Sequence, residues 1–91
     1  MHILLTYDIV NTKSRTKVAT LLEAYGQRVN FSVFELDIKK QKLEVLLLEL
    51  KSLCGKHDSV RVYRFSQDTI ADSYELNDGV KPFEKGSGYV D

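Results

Sequence analysis

The residue best placed for chemistry is Asp8, the single carboxylate of the apolar run 2–10. A run this short and this apolar is typical of a central β-strand that is buried on both faces. A desolvated carboxylate without a partner is costly, so we expect Asp8 at the C-terminal end of the strand, where it can reach water, a cation or a hydrogen-bond donor. The function of the chain is therefore expected to be concentrated at that end.

Two interpretations of Asp8 follow from this position. In the first, which spacing alone favours, Asp8 caps the helix that begins a few residues later. In the second it binds a divalent ion such as Mg²⁺, which takes about six oxygen ligands and commonly only one or two protein carboxylates. One aspartate per chain is too few for a good site, but a two-fold axis beside Asp8 would supply two. Such an ion lowers the pKa of a bound water and stabilises charge on a phosphate.

Basic residues are concentrated just after this strand. Residues 1–34 carry four basic and two acidic side chains, whereas residues 35–91 carry nine basic and eleven acidic ones. Arg15, Lys17 and Arg28 could bind phosphates, and contacts of this kind position a nucleic acid without reading its sequence. A solvated helix face accounts for Lys17, and for Lys13, about equally well.

Other classes of site have little support in the sequence. There is no Cys/His cluster for zinc, no glycine-rich phosphate loop and no Ser-His-Asp arrangement, and we assign no role to His2 or His57. The lone Cys54 excludes an internal disulfide, lies on a leucine stripe and is expected in the core. No window approaches the ~18 apolar residues of a membrane span and no basic leader is visible. We therefore expect a cytoplasmic chain with no membrane partner.

Hydropathy patterns predict the elements that position these residues. Apolar side chains at helical spacing predict helices at 12–25 and 39–54, with Gly26 and Gly55 as left-handed caps. Alternation predicts strands at 27–38 and 59–66. Within 27–38 the phase flips at Val33-Phe34, which predicts a bulge, a bend or a strand that serves two surfaces.

The C-terminal quarter has a weaker pattern. Ile70, Tyr74 and Leu76 share a parity and could form a fourth strand. Residues 77–91 are predicted to be a turn followed by a C-terminal arm, which is either a disordered tail or an added strand on a partner subunit.

The order of elements reduces to βαββαβ, an α+β ferredoxin-like fold in a single domain, 1–91, with two helices on one face of an antiparallel sheet. The other face of the sheet must also be covered. For so small a chain, dimerisation through that face is the economical solution.

Several segments, in order, resemble one family. They are Leu-Thr-Tyr-Asp-Ile at 5–9, the Arg15 helix, Tyr-Gly-Gln-Arg-Val-Asn at 25–30 and Ser-Val-Phe-Glu at 32–35. Together they resemble the small CRISPR-associated endonuclease that accompanies the CRISPR integrase during spacer acquisition. The match extends to about residue 66, with Asn30 where the family usually has glutamine.

The resemblance implies a homodimer, Mg²⁺ or Mn²⁺ shared by paired Asp8 carboxylates, and DNA or RNA as ligand. It implies an adaptation protein that binds nucleic acid and hydrolyses RNA or DNA phosphodiesters. Arg15 and Arg28 match basic positions implicated in function, while Tyr7, Ser32 and Phe34 have supporting roles. Tyr7 and Phe34 are expected to be mainly packing residues. Glu35 is either an ordinary exposed carboxylate or a partner for a basic residue across the dimer.

Other functions remain open from the sequence. The same dimer could be a non-catalytic scaffold that grips duplex DNA and bridges integrase subunits. The fold is also shared with toxin-type ribonucleases and with ligand-binding regulatory modules.

Overall fold

A computed structural model describes residues 1–77 and 79–84. Its strands are β1 (His2–Asp8), β2 (Gln27–Asn30), β3 (Val33–Asp37) and β4 (Ser59–Phe65), and its helices are α1 (Thr12–Glu23), α2 (Lys40–Leu53) and α3 (Gln67–Ala71). The predicted βαββαβ order is confirmed. No helix within the described ranges combines the length and apolarity needed to cross a membrane.

The strands form an antiparallel sheet in the order β2-β3-β1-β4, so β1 is central as predicted. On β1, side chains alternate between the two faces. Ile3, Leu5 and Tyr7 face the helices and are buried, whereas Leu4 and Thr6 lie on the opposite face and are half-buried. We call this second face the open face, and by its parity on the strand Asp8 belongs to it.

Both long helices pack on one face of the sheet and enclose the core. Val18 and Leu22 of α1 and Leu46 and Leu50 of α2 are buried against the inward side chains of β1 and β3. The helices occur as predicted, although α1 ends two residues earlier than expected. Cys54 packs against the same core.

Gly26 has a different role from the predicted left-handed cap, since its φ angle is not in that region. A Cβ atom at this position would collide with the backbone carbonyl of Glu35 on the neighbouring strand. Glycine is required here because the chain passes too close to β3 for any side chain.

Residues 27–38 form a hairpin and not one bent strand. The chain reverses at Phe31-Ser32, and the pairing of β2 with β3 shifts between Arg28 and Asn30. The flip of phase at Val33-Phe34 thus marks the start of a second strand. The register shift lies in β2, between Arg28 and Asn30, and not at the Val33-Phe34 pair where a bulge or bend was predicted.

The possible fourth strand around Ile70 and Tyr74 is wrong, because Gln67–Ala71 forms a short helix that Ser66 caps by accepting from the Thr69 amide. Residues 79–84 return to the sheet, where Phe83 is only 7% exposed. Its ring meets those of His2 and Phe65 edge-on at 5.6 and 5.5 Å between centroids. The rest of the predicted arm, 85–91, lies outside the described residues.

Candidate functional site

Asp8 lies at the C-terminal end of β1, as predicted, and it is exposed. Along the β1–β4 ladder it pairs with Ser59, the first residue of β4. Among the residues that the structure describes, its carboxylate has no hydrogen-bond or ion-pair partner. Both carboxylate oxygens are therefore available to water or a cation.

The interpretation of Asp8 as a helix cap is wrong. The side chain of Asn11 is the N-cap of α1, since its Oδ1 accepts a hydrogen bond from the Ser14 amide at 2.9 Å. Helix α1 is thus capped without Asp8.

The two residues after Asp8 are held from both sides. The Asp58 carboxylate accepts hydrogen bonds from the Val10 amide at 3.0 Å and the Gly55 amide at 2.7 Å. These two hydrogen bonds are the main reason why the pKa of Asp58 lies below its usual range, and the charge of His57 adds a smaller effect. Asp58 therefore ties the α2–β4 loop to the loop that follows Asp8.

Arg15 holds the same loop from helix α1, and we call Arg15 and Asp58 together the clamp. Its Nη1 donates to the Ile9 carbonyl at 3.0 Å and to the Val10 carbonyl at 3.5 Å, and its Nη2 donates to the Thr12 hydroxyl at 3.2 Å. The guanidinium thus fixes the carbonyls of the loop, while Asp58 fixes the Val10 amide. A residue predicted only to bind phosphate also positions the loop next to Asp8.

The hairpin turn is fixed through one carbonyl, that of Phe31. It accepts hydrogen bonds from Nε and Nη2 of Arg28 at 3.1 and 2.6 Å and from the Tyr7 hydroxyl at 3.2 Å. The Arg28 guanidinium also lies 5.7 Å from the centre of the Phe34 ring and 3.5 Å from the Glu23 carboxylate. Tyr7 and Phe34 are buried and their rings stack, which confirms their packing role.

Three of the predicted site residues line a cleft between α1 and the β2–β3 hairpin. It is lined by Arg15, Thr16, Thr20, Glu23, Arg28, Phe31, Ser32 and Ala19. Arg15, Arg28 and Ser32 therefore meet at one place. Lys17 does not line this cleft. Lys13, four residues before Lys17 on the same face of α1, does not line it either.

Two residues near the site, Asp58 and Phe31, were missed from the sequence, and so was the contact of Glu35 with Phe83 away from the site. Asp58 and Val10 are 48 positions apart, and so are Glu35 and Phe83. Glu35 is buried, which excludes the ordinary exposed carboxylate, and its Oε1 accepts from the Phe83 amide at 2.9 Å. Phe31 follows the pattern of a strand but is 84% exposed at the turn.

Other reactive side chains do not join Asp8. His2 lies at the opposite end of β1 and is 3.7 Å from Asp37. Burial, and then the charge of Asp58, raise the pKa of the Cys54 thiol, which disfavours the nucleophilic thiolate. The described part of the chain contains no group of three or more acidic, histidine or cysteine side chains that could hold a metal ion. Any ion at Asp8 must therefore take further ligands from water, substrate or a second chain.

Known proteins match both the sequence and the fold of this chain. Residues 1–72 match the family model described as CRISPR associated protein Cas2. A CRISPR-associated endoribonuclease Cas2 of Synechocystis sp. is 42% identical over 67 residues, which cover 72% of this chain and 73% of that protein.

Two solved structures share the fold at appreciable identity. The crystal structure of Streptococcus pyogenes Cas2 at pH 6.5 is 35% identical, with a TM-score of 0.69 over 75% of this chain and 89% of that one. A chain of a partial Cas6-RT-Cas1–Cas2 complex is 28% identical, with a TM-score of 0.75 over 98% of this chain and 96% of that one. The family model covers most of the chain and the relatives share its fold, so the chain belongs to the CRISPR-associated Cas2 family.

Proposed function

We propose that this chain acts in spacer acquisition as a nucleic-acid-binding protein and metal-dependent endonuclease in which Asp8 holds the ion. The observation that carries this proposal is the exposed Asp8 carboxylate, which has no partner in the described residues although the loop after it is fixed by Asp58 and Arg15. A free carboxylate on a fixed backbone is preorganised for a cation. The endoribonuclease name of the Synechocystis relative supports the same reaction class.

The proposal requires a homodimer. Asp8 lies on the same face of β1 as Leu4 and Thr6, and the neighbouring side chains of β4 on that face include Tyr63, which is 43% exposed. A second copy packed on this open face would cover these residues. It would also bring a second Asp8 to the first, which satisfies the usual one or two carboxylates of a Mg²⁺ or Mn²⁺ site.

Different residues of the chain have different roles in the proposed reaction. A divalent ion, when bound, supplies Lewis-acid stabilisation of a phosphate and an activated water. Asp8 supplies carboxylate oxygens, and the clamp of Arg15 and Asp58 keeps the end of β1 in position. Arg28 and the free N–H groups of Arg15 supply positive charge for the phosphates of DNA or RNA.

Cleavage by an isosteric variant tests the proposal. Asp8→Asn keeps the size of the side chain but removes its charge, and we expect it to abolish Mn²⁺-dependent cleavage of labelled RNA and DNA while the thermal midpoint stays unchanged. Glu44→Gln, which removes a charge from an exposed position on α2, is the matched control and should cleave normally. Full metal-dependent activity in the Asp8→Asn protein would refute the catalytic assignment.

A second candidate is a non-catalytic scaffold that binds DNA and bridges integrase subunits. The likeness to a chain of a Cas1–Cas2 complex favours it, and both functions are compatible in one protein. Removing residues 85–91 leaves Phe83 on the sheet and therefore tests the terminal segment by itself. The scaffold predicts that this truncation abolishes integrase capture and that Asp8→Asn supports normal spacer acquisition. Normal capture by the truncated protein would count against an integrase contact in that segment.

The family match favours either candidate over the toxin-type ribonucleases and ligand-binding modules that share the fold.

A further inference from the structure

Phe31 is an aromatic side chain that the fold presents to solvent. It is 84% exposed at the tip of the β2–β3 hairpin, whereas Phe34, three residues later, is fully buried. The core therefore uses Phe34 and makes no use of Phe31. Val29, two residues earlier, is also 48% exposed.

The backbone that carries Phe31 is held by side-chain hydrogen bonds. Three donors, two from Arg28 and one from Tyr7, converge on its carbonyl oxygen. The side chain itself makes no contribution to this network. A rigid backbone that presents an exposed ring lowers the entropy cost of binding a flat partner to it.

The ring stands at the edge of a positively charged cleft. Arg15 and Arg28 line the cleft together with the hydroxyls of Thr16 and Thr20, and Glu23 is the opposing acidic side chain. Each arginine makes three of the hydrogen bonds described above. A guanidinium group has five N–H donors. Donors therefore remain on both guanidinium groups for a phosphate.

We propose that Phe31 is a stacking platform for an unpaired nucleobase and that the adjoining Arg15–Arg28 cleft receives the phosphates beside that base. An aromatic ring next to a basic groove is the usual arrangement for single-stranded nucleic acid, because every base has a π-face and its backbone is anionic. The interior of a blunt duplex offers no free base face to such a ring. This inference rests on the proposed nucleic-acid role and specifies its ligand as a single-stranded segment or a frayed end.

Binding to matched oligonucleotides tests the inference in the full-length protein. The probes are a fluorescent single-stranded oligodeoxynucleotide and a blunt duplex of the same sequence. We expect Phe31→Ala to weaken single-strand binding by about 5- to 150-fold, the usual effect of losing one stacked base, and to change duplex binding less than about two-fold. Phe31→Trp should restore single-strand binding. Leu48→Ala, at a 69% exposed apolar position on α2, is the control and should bind both probes normally.

The outcomes separate this inference from the proposed function. Equal weakening on both probes, or no weakening on the single strand, would overturn the stacking role while leaving nucleic-acid binding intact. Loss of integrase capture by Phe31→Ala with unchanged oligonucleotide binding would also overturn it and would identify the tip as a protein contact. Failure of the wild-type protein to bind either probe at low salt would refute the nucleic-acid role itself, and the stacking role with it.

Discussion

Phe83 provides the sharpest test of how the C-terminal segment is attached. Its ring is 7% exposed and packs edge-on against His2 and Phe65. Replacing a buried phenylalanine with alanine typically costs about 3–5 kcal/mol. Because Phe83 packs on the open face of the sheet and not in the main core, we expect Phe83→Ala to lower the free energy of unfolding by about 3 kcal/mol.

The backbone conformation of Phe83 sets a lower bound on what the packing of its ring contributes. Its φ angle is 61°, in the left-handed region, which costs a residue with a Cβ roughly 1–2 kcal/mol. The packing of the ring must exceed that cost for the conformation to persist. Glycine has no such penalty, so we expect Phe83→Gly to be less destabilising than Phe83→Ala by about 1 kcal/mol. This order is the reverse of that at an ordinary position.

Urea unfolding followed by circular dichroism measures both differences. For a chain of this size, a loss of about 3 kcal/mol should lower the thermal midpoint by about 12–24 °C. Phe31→Ala removes the same ring from an 84% exposed position and should change the free energy of unfolding by less than about 0.5 kcal/mol. Equal effects of the Phe83 and Phe31 substitutions, or a glycine variant less stable than the alanine variant, would refute the described attachment.

Three further predictions concern the residues that fix the site. Tyr7→Phe removes one of three donors to the Phe31 carbonyl, and because Arg28 still satisfies that oxygen we expect a loss of about 1 kcal/mol in urea unfolding. Asp58 has a lowered pKa in the folded state, so its contribution to stability is present at neutral pH and is lost as the pH falls below about 4. Asp58→Asn, with one acceptor for two amides, should therefore lower the thermal midpoint at pH 7, and the gap to wild type should narrow below pH 4; a gap that widens on acidification would contradict this. Gly26→Ala forces a Cβ against the Glu35 carbonyl and should cost about 1–3 kcal/mol, so a variant as stable as wild type would show that the strands are less close than described.

Local patterns predicted most of the fold because they depend on neighbours in sequence. The leucine spacing of α2 and the N-cap types before α1 specified both helices to within two residues. The apolar run with one carboxylate specified the central strand and the place of Asp8 at its end. The strand predicted around Ile70 and Tyr74 was wrong because two or three residues of shared parity are too few to distinguish a strand from a helical turn.

Contacts between distant parts of the chain were not predictable in the same way. The alternation around Val33-Phe34 is compatible with a bent strand or a hairpin, and only the pairing of β2 with β3 decides between them. The bonds of Asp58 to Val10 and of Glu35 to Phe83 each join residues 48 positions apart. The donors in these bonds are backbone amides, so the residue types at Val10 and Phe83 give no indication of the contacts. The clamp next to Asp8 is therefore visible only in the folded chain.

The stoichiometry of metal binding tests the central claim most directly. Titration of the full-length protein with Mn²⁺, measured by calorimetry, should give one ion for every two chains, because the proposal places paired Asp8 carboxylates around a shared ion. Asp8→Asn should abolish this binding and Glu44→Gln should preserve it. One ion per chain, or unchanged binding in the Asp8→Asn protein, would contradict the proposed site.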